Sequence, residues 1–173
     1  MRERLRRPLV FLDVDGPLIP FGGAVGQRAG SPLRDGRDGS NPLAARLNPT
    51  MGPLLSTLQC ELVWATTWTH DANRYISPIL GLPDLTVIEW PDSQDDRIDA
   101  WFGLHWKTRT LVEWAEGRSF IWIDDEIGDG DEEWVSAHHG GRALLHRVDP
   151  REGLQLSDFD IFTAWLGTSA EAR

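Results

Sequence analysis

The chain has 173 residues, 40% of them apolar, with nine tryptophans and a formal net charge of −10. That length and composition predict one domain with a sizeable core and exclude a disordered polymer, while the acid excess argues against nonspecific binding to nucleic acid or anionic membranes. The only cysteine, Cys60, leaves no internal disulfide, and no apolar run approaches the roughly 18 residues of a membrane span, so the expected setting is reducing and cytoplasmic.

In chain order, residues 1–7 are basic, but the apolar run behind them stops at Asp13, too short for a secretory core. A strand is predicted at 9–14, leading into Asp13-Val14-Asp15-Gly16. Residues 17–49 are rich in glycine and proline, carry Arg28, Arg34, Arg37 and Arg46, and show no periodicity; they read as a flexible flap over the end of that strand. A helix at 51–59 and a strand at 61–66 follow, the strand leaving Thr66, Thr67 and Trp68 at its exit. Thr69 suits the N-cap of a helix at 71–80, and a strand is predicted at 86–90. The acidic run 92–99 reads as solvated surface. Lys107 opens a helix at 108–116, and a strand at 119–123 ends in Asp124-Asp125, the start of a second acidic run reaching residue 133. Helix 132–139, strand 142–148 and a last helix at 157–166, capped by Ser157, complete the pattern; Trp101, Trp114, Trp134 and Trp165 fall at positions that read as core.

Strands alternating with helices, several of them continuously apolar, predict a doubly wound α/β domain, with a five-stranded parallel sheet covered on both faces. Such sheets bind ligands outside the carboxyl ends of their strands. Asp13 and Asp15, Thr66 and Thr67, and Asp124 and Asp125 all leave strands at that edge, and Lys107 joins them from the helix before the fourth strand. Sixteen of the seventeen basic residues are arginine, so the single lysine stands out. A compact ammonium can sit among carboxylates and a phosphoryl group where a planar guanidinium cannot.

Four carboxylates near one point repel one another, and a divalent cation together with Lys107 would relieve that. Oxygen-only ligands favour Mg²⁺, which takes one or two carboxylates plus a substrate phosphate. A carboxylate can act as the nucleophile of a phosphoryl transfer, and a second carboxyl two residues on can protonate the leaving oxygen and deprotonate the attacking water. The Thr66 hydroxyl and the Lys107 ammonium would bind the phosphoryl oxygens.

Phe11-Leu12-Asp13-Val14-Asp15-Gly16, Leu62-Val63-Trp64-Ala65-Thr66, Lys107 and Trp122-Ile123-Asp124-Asp125 stand in the order of the four motifs of the haloacid dehalogenase-like (HAD) superfamily, which the chain resembles over residues 9 to about 148. The resemblance implies a three-layer Rossmann-like phosphohydrolase with Asp13 as nucleophile, Asp15 as general acid/base, and Mg²⁺ held by Asp13, the Asp15 carbonyl and Asp125. It further implies that Asp124 orients Lys107, with Glu126, Asp129 and Asp131 as fallback ligands. Gly16, Thr67 and Trp68 are candidates for substrate contact; Trp68 either packs or stacks a base or sugar. Pro17 stands where the superfamily often has threonine or a small aliphatic residue, which puts the shape of that turn in question.

No insertion is long enough for a large cap domain. Capless members of the superfamily tend to act on bulky substrates or to recruit a partner protein as lid. The phrases Trp64-Ala-Thr-Thr-Trp68, His70-Asp71-Ala72-Asn73 and Leu80-Gly-Leu-Pro83 are similar to HAD domains associated with RNA-repair proteins, which suggests a nucleotide or nucleic-acid-end phosphate as substrate. The alternative is a catalytically idle HAD-like module that binds a phosphorylated ligand or signals. A response-regulator receiver is disfavoured because its acidic pair leaves the first strand, and an acid-only nuclease would make Thr66 and Lys107 incidental.

Overall fold

The computed structural model of the chain describes residues 7–21, 42–91 and 96–171. Five strands form one sheet in the order β3-β2-β1-β4-β5, and every ladder is parallel. They are β1 (Leu9–Leu12), β2 (Glu61–Trp64), β3 (Thr86–Val87), β4 (Phe120–Asp124) and β5 (Ala143–Arg147). The helices are α1 (Met51–Thr57), α2 (Ser77–Leu80), α3 (Asp96–Trp101), α4 (Thr108–Ala115), α5 (Asp129–His138) and α6 (Leu156–Glu171). A 3-10 turn at Pro42–Arg46 precedes α1, and a π-helical turn at Ala72–Ile76 runs into α2. Among the described residues only short helices lie between β1 and β2 and between β3 and β4, so no large cap is present there.

β1 is central, and its four residues Leu9 to Leu12 are completely buried. Alternation sends Val10 and Leu12 to one face and Leu9 and Phe11 to the other. The first face packs Met51 and Leu55 of α1, Ile76, Leu80 of α2, and Phe159, Phe162 and Leu166 of α6. The second packs Leu111 and Ala115 of α4 and Val135 of α5 against Phe120 and Trp122. Each fully buried side chain of this size contributes about 1.5–3 kcal/mol through loss of apolar contact with water. The expected α/β sandwich is present, with helices on both faces.

Several local expectations are corrected. Strand three is only two residues long; Ile88 still donates its N–H to the Trp64 carbonyl (3.0 Å), and Trp90 beyond it donates its indole N–H to the Thr66 carbonyl (3.0 Å). The connection after it contains a helix, α3, whose Asp99 is buried and receives two 2.9 Å hydrogen bonds from Arg109 Nε, so this residue of the acidic run is not solvated surface. Trp101 is 85% exposed and belongs to no core. Ser157 lies inside α6; the carboxylate of Asp158 instead accepts the Gln155 N–H (2.7 Å) at the helix start. Thr69 caps nothing and adopts a left-handed conformation (φ 47°).

Both ends of the segment expected as a flap pack into the body, through Leu18 and Ile19 on one side and Ala44 and Leu47 on the other. The rest of that expectation, including Arg28, Arg34 and Arg37, lies outside the described residues. No described helix is long and apolar enough to cross a membrane.

Candidate active site

The carboxyl edge of β1 is shaped by a tight loop. The Val14 carbonyl accepts the N–H groups of Leu18 and Ile19 (both 3.0 Å), and the Gly16 N–H donates to the Ile19 carbonyl (3.0 Å). Pro17 has no N–H to donate. It buries its ring in this loop, and its carbonyl accepts the Leu154 N–H (2.9 Å). Gly16 has φ +87°, and a Cβ there would stand 2.6 Å from Asp125 Cγ; only glycine permits the first and fourth strand ends to approach this closely.

Beside that contact lies a buried ionic cluster. Lys107 is the N-cap residue of α4 and is 2% exposed. Its ammonium donates to Asp124 Oδ2 (2.8 Å) and pairs with Asp13 Oδ2 (3.1 Å). Asp13 Oδ1 accepts the Val14 N–H (2.9 Å), and Asp124 accepts the Glu126 N–H (3.1 Å) and the Trp122 indole N–H (3.3 Å). The rings of Trp106 and Trp90 flank the ammonium at 5.5 and 5.9 Å from their centroids, within cation–π range.

Three carboxyls around one ammonium leave the cluster short of positive charge. Burial, reinforced by Asp124 and only partly opposed by Lys107, pushes the Asp13 carboxyl up to about 7. Burial and then Asp124 raise Asp125 as well. Burial disfavours the Lys107 ammonium, but Asp13 and Asp124 together outweigh it, and its pKa rises. The cluster is a charged lysine facing more carboxyls than it can neutralise.

Oxygen atoms from Asp13, Asp124 and Asp125 lie within 4.8 Å of one another. A hard divalent cation suits an all-oxygen set with this charge deficit. His105, Asp124 and Glu126 form a second group at similar spacing, but its atoms are engaged internally. His105 Nδ1 accepts the Lys107 N–H (3.1 Å), so a neutral ring directs its Nε2 proton to Glu126 (3.0 Å). Asp131, expected as a fallback ligand, is buried and clips α5 to the Lys107 segment. It accepts from the His105 N–H (2.7 Å), the Thr108 hydroxyl (2.6 Å) and the Gly128 N–H (2.9 Å). Asp129 is exposed.

At the end of β2, Thr66 is fully buried and Thr67 is exposed. The Thr66 hydroxyl oxygen accepts the Trp68 N–H (3.3 Å), which leaves its proton to be donated elsewhere. The Trp68 indole N–H reaches Asp15 Oδ2 (3.0 Å). Asn73 fixes this end of the sheet: its amide oxygen accepts from the Trp64 indole (2.9 Å), the Leu85 N–H (2.9 Å) and Ser77 Oγ (3.2 Å), and its amide nitrogen donates to the Leu85 carbonyl (2.8 Å).

The structure thus joins Asp13, Lys107, Asp124 and Asp125 in one cluster and ties Asp15 to Trp68. It sets Thr66 on the same strand edge, since the Ala65 N–H bonds the Leu12 carbonyl (2.9 Å), and leaves Thr67 facing solvent. His105, Trp90, Trp106 and Trp122 surround the cluster and were not read from the sequence as site residues. His105-x-Lys107 and the tryptophans at 90 and 106 were visible there, without a periodic signal to separate them from core aromatics.

Neither a curated protein nor a solved structure matches the chain significantly. The profile of one family does match, over residues 9–159, from the start of β1 into α6 and across every group in the cluster. The chain therefore belongs to the family of HAD domains in Swiss Army Knife RNA repair proteins.

Proposed function

We propose that the chain is a Mg²⁺-dependent phosphohydrolase working through an aspartyl-phosphate on Asp13. The observation that carries this reading is the Lys107 ammonium bridging Asp13 and Asp124 inside a cluster that also holds Asp125. Asp13, Asp125 and the Asp15 carbonyl would hold the cation, which when bound neutralises charge on the phosphoryl oxygens and on the carboxylates.

A carboxylate oxygen of Asp13 attacks phosphorus as the ester P–O bond breaks, and Asp15 gives its proton to the leaving oxygen. Asp15, now ionised, takes a proton from water as that water attacks the acyl phosphate; inorganic phosphate departs and the Asp13 carboxylate is restored. Lys107 and the free proton of the Thr66 hydroxyl stabilise negative charge on the transferring group. Asp124 holds the ammonium in place and is not itself consumed. We infer a nucleotide or nucleic-acid-end phosphate as substrate, on the RNA-repair association of the family and the indoles of Trp90 and Trp106 beside the Lys107 ammonium.

The test is hydrolysis of an aryl phosphate with Mg²⁺, with chelator, and by the Asp13→Asn variant. Turnover that requires both the metal and Asp13 supports the reading. Turnover that survives Asp13→Asn overturns it, and a protein that binds phosphate esters without cleaving any points to a phospholigand-binding module.

A further inference from the structure

We propose that Trp68 is a positioning residue for Asp15, holding that carboxyl group for proton transfer to the leaving oxygen; this rests on the phosphohydrolase reading above. The contact joins the exits of two adjacent strands. Trp68 Nε1 donates to Asp15 Oδ2 at 3.0 Å across 53 residues of sequence.

The turn carrying Trp68 is built around its placement. The Trp68 N–H is tied to the Thr66 hydroxyl (3.3 Å), and its carbonyl accepts the Asp71 N–H (3.0 Å). The Thr66 carbonyl takes two donors, the Thr69 N–H (3.2 Å) and the Trp90 indole (3.0 Å). Thr69 holds φ 47°, a conformation that a β-branched residue adopts only when its surroundings impose it. The ring of Trp68 also packs on the apolar core of the α1/α6 face, which fixes the direction of the N–H.

Indole chemistry fits the task. The N–H donates only and does not ionise in the working range, so it can orient a carboxyl group without competing for its proton. A lysine or arginine there would compete as an ion-pair partner, and a histidine would exchange protons with Asp15.

The test uses Trp68→Phe, which keeps an aromatic ring and removes the donor. Two esters are compared by kcat/KM, which reports phosphoryl transfer to Asp13 and is insensitive to the later hydrolysis step. A simple alkyl phosphate needs its leaving oxygen protonated; 2,4-dinitrophenyl phosphate does not. The expected loss is roughly 10- to 100-fold for the alkyl ester, part of the 10²–10⁴ that a general acid supplies, and within about two-fold for the dinitrophenyl ester. Equal losses on both esters would reduce Trp68 to a structural role, and no loss on either would leave the contact without consequence; each overturns the proposal. Wild-type protein that cleaves neither ester removes the phosphohydrolase reading, and this inference with it, before any variant is compared. Independently of turnover, the indole N–H proton resonance lost in Trp68→Phe should move in Asp15→Ala, and an unmoved resonance would also overturn the proposal.

Discussion

Replacing Lys107 by methionine keeps most of the stem and deletes the charge. The ammonium lies 2.8 Å from Asp124 and 3.1 Å from Asp13, and only 2% of the residue is exposed. At an effective dielectric of about 20, each contact is worth roughly 5–6 kcal/mol before solvation is counted. Desolvating three ions offsets much of that, and removing one member of a buried pair typically costs about 3–5 kcal/mol, because the remaining charge is left uncompensated. We expect a loss of that size for Lys107→Met at about pH 8 in chelator. The loss should shrink by more than half at about pH 5. The sign follows from Asp13. Its folded pKa, already pushed up to about 7 from 3.8, rises further without the ammonium. A carboxyl group with a raised folded pKa stabilises the fold most at low pH, and that stability is lost as pH rises through the folded value. Acid therefore neutralises the repulsion that the variant cannot, while also weakening the wild-type pair. Urea unfolding followed by circular dichroism at the two pH values reads this directly, with an unchanged m-value. A cost that is equal at both pH values, or a variant as stable as wild type at pH 8, would refute the charge-deficit account of the cluster.

Gly16→Ala should lose about 2 kcal/mol or more, from the left-handed φ and from a Cβ 2.6 Å from Asp125 Cγ. It should also blunt the rise in melting temperature on Mg²⁺ titration; an undiminished Mg²⁺ response would separate Asp125 from the cation. Asn73→Ala strips a partner from the Trp64 indole, Ser77 and both backbone groups of Leu85, and should cost about 2–4 kcal/mol in chemical denaturation. A loss below about 1 kcal/mol would mean that water satisfies those groups in the variant.

Much of the site was legible because a parallel α/β sheet converts sequence order into position. Apolar runs ending in Asp13, Thr66 and Asp124 place those residues on one edge whatever lies between them, and a charge argument adds Lys107 to it, whereas the resemblance to the superfamily was needed to choose Asp124 as the acid that faces the lysine. What escaped notice was decided by tertiary contacts that leave no local period. Trp90 and Trp106 are distinguished from core tryptophans only by where their rings and N–H groups point, while Trp68, singled out as a substrate contact, turns its N–H to Asp15. Asp99 looked like a solvent-facing member of an acidic run and Asp131 like a fallback metal ligand, yet each is buried because specific donors meet it, Arg109 in one case and the His105–Thr108 segment in the other. The α3 helix was hidden by its polar composition, and Trp101, at its end, was misjudged for the complementary reason that a large apolar side chain usually buries itself.

The burial of Lys107 has an analytical use that is separate from chemistry. Within these 173 residues a lysine-specific endoprotease has one bond to cut, after Lys107, and the folded protein hides the side chain that the protease must grip. Cleavage there is a clock for opening of the α4 entrance: its rate follows the population in which the ammonium has left Asp13 and Asp124. Two fragments, cut between β3 and β4, would be the sole product, and slowing of their appearance by a cation or a phosphate ester would measure occupancy of the site without any turnover.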